Sequence, residues 1–202
     1  MKLLISGFEP FGDFATNPTM TLIENLSGWD VGCELRTVIL PVSYSRSFDI
    51  LGSMIDQLHP DAVICLGLKG NARDGVIIFE TLARNHCENT LDNDGNRREG
   101  SIVFDGPDTL PTTLPVLKMM DELLSHGIQA KTSDHAGGYL CNYLFYSMQL
   151  RFLHSAGIQS GFIHVPHNPP DFLPPLIRGL AAMLSMTVTG EKGPLFLMAL
   201  TP

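Results

Sequence analysis

The sequence predicts an α/β fold in which helices pack on a largely parallel sheet, and three observations carry that reading. Strand-length apolar runs alternate with stretches of helical periodicity along the chain, the pattern left by successive βα units. Two of those runs, residues 62–68 and 76–79, are almost continuously apolar, as expected of strands covered on both faces. The length of 202 residues suffices for one substantial core and is short for two, so residues 1–202 read as a single domain.

Composition narrows the function classes. With 44% hydrophobic and 17% charged residues, 19 glycines and 14 prolines, the chain reads as a compact, loop-rich globular protein rather than a disordered one. A formal net charge of -8 without a Lys/Arg cluster argues against a nucleic-acid partner, which needs a basic face. The apolar run before Gly7 is too short for a secretory signal, and no stretch is long and apolar enough to cross a bilayer. Cys33, Cys65, Cys87 and Cys141 are scattered with no CxxC pair, so they read as reduced thiols of a cytoplasmic protein, without a zinc or redox motif.

Taken in order, residues 2–6 form the first strand and residues 7–16 a loop. Asn17 and Pro18 follow as N-cap and first-turn proline of a helix that ends near Gly28. Residues 33–42 are a strand, after which Ser43 caps a helix with Phe48, Leu51, Ile55 and Leu58 at helical spacing, stopped by Pro60. The buried strands 62–68 and 76–79 flank a Gly/Asn-rich loop. Residues 89–111, rich in Asn, Asp, Gly and Arg, read as an excursion with a short hairpin. Pro115 opens a helix closed by Gly127, residues 128–132 are a strand, and residues 139–155 are a helix ended by Gly157. A short strand at 161–165 precedes a last helix capped by Asp171.

Chemistry gathers at three positions. Cys141 follows Ala136-Gly137-Gly138 at the opening of a helix, where the positive helix end and free backbone N–H groups favour thiolate and can hold an oxyanion. The same position also suits an ordinary buried core cysteine. His164 lies in a buried strand near its C-terminal end, where open α/β sheets place their sites. It can serve as the base of a Cys-His pair or as a hydrogen-bonded core histidine, and His167 and His135 compete with it. Glu80, at the end of an apolar run, can fix a histidine tautomer or be a solvated strand-end charge.

Several motifs occur together: Ser6-Gly7-Phe8-Glu9-Pro10-Phe11-Gly12 with Asn17-Pro18; Leu40-Pro41-Val42; Glu80 with Ala83 and Asn85; and Asp105-Gly106-Pro107. Ser133, Ala136-Gly137, Tyr139-Leu140-Cys141-Asn142 and Phe162-Ile163-His164-Val165-Pro166 follow in the same order. In this set and order the chain resembles the pyroglutamyl peptidase I family, also called pyrrolidone-carboxylate peptidases. The resemblance implies a three-layer α/β/α domain with a mixed, largely parallel central sheet of the phosphorylase/hydrolase type. It implies Cys141 as nucleophile, His164 as base and then acid, and Glu80 as the residue orienting the histidine. The implied reaction releases N-terminal pyroglutamate from peptides through a thioester, with no metal or cofactor, in a homo-oligomer, commonly a tetramer. Phe8, Phe11 and Phe14 would hold the flat lactam ring.

The departures from the family pattern fall near the site. Gly67-Leu68-Lys69-Gly70 stands in place of a Gly-Gln-Ala-Gly turn, with about two extra residues before Glu80. Thr81 occupies the usual basic position, Ile78 a usual Ser/Thr position, and His135 a small or acidic one. Leu68 thereby becomes a candidate substrate contact, and the alternative readings are a cysteine amidase or lactamase for another small acyl group, or a non-catalytic binding protein on the same fold.

Overall fold

The computed structural model describes residues 1–12, 14–26, 33–71, 75–155 and 157–188, the last eight as backbone. Strand β1 (Lys2–Phe8) leads through the opening loop into α1 (Pro18–Asn25). Asn17 caps that helix by accepting the Thr19 N–H at 3.1 Å, with Pro18 in the first turn, as its sequence predicts. The expected stop near Gly28 lies outside the described residues. β2 (Glu34–Leu40) and α2 (Ser47–Leu58) follow. Ser43 does not cap α2, which begins four residues later at Ser47, with Arg46 as its N-cap and no side-chain cap. The Ser43 hydroxyl instead meets Ser45 Oγ at 3.1 Å, and its carbonyl accepts the Ser47 N–H, so a turn separates the serine from the helix.

β3 (Ala62–Leu68) is buried throughout. β4 (Val76–Glu80) is followed by the excursion: β5 (Leu82–Arg84), β6 (Cys87–Leu91), β7 (Arg97–Gly100) and β8 (Thr109–Pro111). β6 and β7 form the expected hairpin, and β5 pairs antiparallel with β8. Then come α3 (Val116–Ser125), β9 (Gln129–Ser133), α4 (Leu140–Phe152), β10 (Gln159–Val165) and α5 (Leu173–Val188). Because α5 starts at Leu173, Asp171 stands two residues ahead of its first turn rather than at the cap. No helix among the described residues is long and apolar enough to cross a membrane.

The main sheet has the order β2-β1-β3-β10-β4-β9. Four of its strands run parallel, while β4 pairs antiparallel with β10 and carries β9 with it in its own direction. Alternation along the strands sends side chains into two separate cores. Leu4, Val63, Cys65 and Phe162 pack beneath α2 and α4. Leu3, Ile5, Ile64, Leu66 and Ile163 pack against α1, α3 and α5. The result is a three-layer α/β/α domain with a mixed, mostly parallel sheet.

Candidate active site

The reversed direction of β4 creates the first part of the site. In the β10–β4 ladder, His164 is opposite Ile78 and Phe162 is opposite Glu80, so Glu80 and His164 are diagonal neighbours on one face of the sheet. Both are buried. His164 Nδ1 lies 2.7 Å from Glu80 Oε1. Burial works to raise the Glu80 pKa, but the hydrogen bond from His164, the nearby Ser133 and the charges of His164 and Lys69 leave it below the ordinary value of 4.5. An ionised carboxylate only accepts, so Nδ1–H donates to it and Nε2 is left as the free, basic nitrogen. Burial holds His164 below its ordinary 6.5; Glu80 opposes that and the Lys69 charge adds to it. The imidazole is therefore neutral near pH 7.

Cys141 occupies the second position of α4, after the N-cap Tyr139. The segment before it is glycine-rich: Gly137 has φ +86°, a conformation strained for other residues, and a Cβ on Gly138 would lie 2.3 Å from the Glu88 side chain, which would have to move. Gly67, the parallel-sheet partner of His164, completes the arrangement. A Cβ on Gly67 would meet the Phe162 ring at 2.6 Å and Cys141 Sγ at 2.8 Å. The thiol thus sits in the space left by the glycine beside His164. Burial pushes the thiol up to about 12, and the negative charge of Glu80 adds to that; Lys69 and the backbone N–H of Cys141 pull the other way. The resting sulfur is a thiol rather than the thiolate expected from its helix position, because desolvation outweighs the helix end.

Beside the sulfur lies an apolar hollow of about 20 Å³, lined by Phe8, Phe11, Val42, Leu68, Tyr139 and Leu140 together with Asn17 and Cys141. That is room for about one water molecule, so the apolar walls must part to admit a substrate ring. Its walls are held from outside. Glu9 Oε1 accepts the Val42 N–H at 3.0 Å and the Asn93 side-chain N–H at 3.1 Å. Asn93 also donates to the Pro10 carbonyl, and the Tyr139 hydroxyl donates to Leu91 O. The tip of the β6–β7 hairpin is thereby tied to the opening loop.

A thiol, an imidazole and a carboxylate placed together are groups able to carry out cysteine acyl transfer, and the chain is similar to known proteins in sequence and fold. A family model described as pyroglutamyl peptidase matches residues 1–190. The chain belongs to the pyroglutamyl peptidase family. It is 39% identical over 176 residues to a pyrrolidone-carboxylate peptidase of Oceanobacillus iheyensis, covering 82% of this chain and 83% of that one. It is 35% identical over 186 residues to that of Pyrococcus furiosus, covering 89% and 87%. Its fold matches the crystal structure of pyroglutamyl peptidase I of Bacillus amyloliquefaciens with a TM-score of 0.81 at 29% identity, over 90% of this chain and 97% of that one.

Of the positions singled out in the sequence, the structure brings Glu80 and His164 into direct contact, sets Cys141 beside them, and gathers Phe8, Phe11 and Leu68 at the hollow. Phe14 stands apart from it. Its ring packs edge-on to Phe11 at 5.4 Å and against His167 at 5.2 Å, and it lines a wider groove with Thr16, Leu22 and Pro170. His167 is therefore turned toward Phe14, and His135 Nδ1 accepts the Gly137 N–H at 3.0 Å, so neither competitor is hydrogen-bonded to Glu80. Residues 72–74 of the altered loop lie outside the described residues. Sequence reasoning missed Lys69, whose Nζ is 3.3 Å from Glu80 Oε1, and Val42 as a wall; only their adjacency to Leu68 and Pro41 in the quoted motifs marked either.

Proposed function

We propose that the protein is a thiol-dependent omega-peptidase that removes pyroglutamate from the N-terminus of peptides. The observation that carries this reading is the buried His164–Glu80 pair, 2.7 Å apart, beside a cysteine that opens onto a small hollow with aromatic walls. In this reading the flat lactam ring enters between Phe8, Phe11 and Tyr139 as those walls part, with its acyl carbon presented to Cys141 Sγ. His164 Nε2 takes the thiol proton as sulfur attacks that carbon, and the backbone N–H groups opening α4 stabilise the oxyanion. Glu80 stabilises the imidazolium that forms. The C–N bond then breaks, His164 gives its proton to the departing amine, and a thioester remains on Cys141. Water, deprotonated by His164, attacks the thioester; pyroglutamate leaves and the sulfur recovers its proton.

Since Cys141 rests as a thiol, its deprotonation belongs to the attack itself and depends on neutral His164. The test is release of a fluorescent amine from a pyroglutamyl amide by the native chain and by Cys141→Ala. The reading requires the variant to lose all measurable turnover; equal rates would refute it. One observation favours a second reading: apart from Asn17 and Cys141 the hollow is walled by apolar side chains, so another small acyl group could be preferred by a related cysteine amidase or lactamase. A panel of acyl amides separates the two, with a much faster non-pyroglutamyl substrate favouring the second. A cytoplasmic location and a homotetramer belong to the first reading; the four free cysteines suit a reducing compartment.

A further inference from the structure

Glu80 carries two partners on one oxygen. Oε1 accepts from His164 Nδ1 at 2.7 Å and is approached by Lys69 Nζ at 3.3 Å. Glu80 is fully buried, whereas the Lys69 side chain keeps 28% of its surface exposed. The ammonium also donates to the His135 carbonyl at 3.4 Å, which fixes the end of β3 against the loop leading to Cys141. A buried carboxylate is costly without compensating charge, and a neutral imidazole supplies a hydrogen bond but no charge. We propose that Lys69 is a positioning residue, an ammonium that keeps Glu80 ionised and, by sharing its Oε1, limits how tightly the carboxylate holds a protonated His164. This inference rests on the peptidase reading for its catalytic consequence but not for its electrostatics.

The groups facing the pair from each packed element set the sign of the effect. Lys69 comes from the end of β3, Cys141 from α4, and the Ser133 hydroxyl from β9. Asp134 and His135 come from the loop after β9, and Arg84 on β5 lies 3.6 Å from Asp134. The charge of Lys69 lowers the pKa of Glu80, His164 and Cys141 alike. Removing it raises all three. His164 then keeps its proton to higher pH, Glu80 loses its charge at a less acidic pH, and Cys141 is less readily deprotonated. Every change subtracts activity on the acidic side.

The experiment uses the full chain with Lys69→Met and Lys69→Arg. It reads kcat/KM for a fluorogenic pyroglutamyl amide against pH, and the iodoacetamide alkylation rate of Cys141 against pH. The expected result is an acidic limb moved to higher pH in Lys69→Met with KM on the plateau unchanged, slower Cys141 alkylation at each pH, and both restored in Lys69→Arg. Coincident limbs and alkylation profiles for Lys69→Met and the native chain would overturn the proposal. So would a raised KM with an unmoved limb, which would make Lys69 a substrate contact. If Lys69→Met does not fold, Lys69→Gln, which keeps a hydrogen-bond donor without the charge, carries the same two readouts. If the native chain leaves pyroglutamyl amides intact while the alkylation shift appears, the peptidase reading fails and the role of Lys69 stands.

Discussion

At the scale of single residues, the site depends on which groups are charged before substrate arrives. Glu80 is ionised, His164 neutral and Cys141 protonated, so turnover needs a proton transfer rather than a preformed ion pair. Glu80→Gln keeps the shape but offers His164 an amide whose N–H₂ cannot accept from Nδ1–H, which selects the wrong tautomer. A loss in kcat of about 10²–10⁴ is expected, by analogy with other orienting carboxylates, and steady-state kinetics on a pyroglutamyl amide would measure it. A variant within a few-fold of native would remove Glu80 from the mechanism. Cys141 should also be alkylated ahead of Cys65 and Cys87. All three thiols are raised by burial, but Cys141 is the one of these three that is partly accessible.

At the scale of elements, the approach of α4 to β3 and β10 requires Gly67. An alanine there would drive Cβ into Cys141 Sγ and the Phe162 ring. Overpacking of this kind costs about 1–3 kcal/mol, so Gly67→Ala should lower Tm and abolish turnover by displacing the sulfur. Full activity in that variant would contradict the placement of the thiol. The other end of this junction is held by Asn142, which is fully buried. Its Oδ1 accepts the Arg84 N–H at 2.9 Å, and its Nδ2 donates to Arg84 O and His86 O, both at 2.8 Å. Asn142→Leu would strand those backbone groups, and a loss of about 1–3 kcal/mol is expected, measurable as a shift of the denaturant midpoint.

At the scale of the whole molecule, what was legible in the sequence follows from the range of the interactions involved. β3 and β10 could be read because continuous burial leaves an apolar run, and α1 because Asn17-Pro18 writes its own cap. The direction of β4 could not be read: an apolar run of four or five residues has the same composition whichever way it runs, yet its reversal is what puts Glu80 diagonal to His164. The positive end of α4 was visible at Cys141, whereas the desolvation and the Glu80 charge that overrule it come from residues far apart in the chain. Lys69 was hidden for the same reason, since its partner is on another strand.

The same buried pair governs acid stability. His164 is depressed in the folded state, so the unfolded chain binds more protons as pH falls below 6.5, and stability declines from there. Glu80 is also depressed, so its contribution, present above the unfolded value of 4.5, is lost as pH falls further through its folded pKa. Thermal unfolding from pH 8 to pH 4 should therefore give a Tm that falls below pH 6.5. The fall between pH 6.5 and 5 should be smaller in His164→Phe, provided that variant folds.

The central claim is that Cys141, served by His164 and Glu80, is acylated by a pyroglutamyl group. Acid-quenching the protein during turnover of a pyroglutamyl ester, followed by peptide mass spectrometry, tests it directly. The account predicts one added pyroglutamyl acyl group on the peptide containing Cys141, absent from Cys141→Ala. Undiminished turnover by Cys141→Ala, or an acyl group found on a different residue, would contradict it.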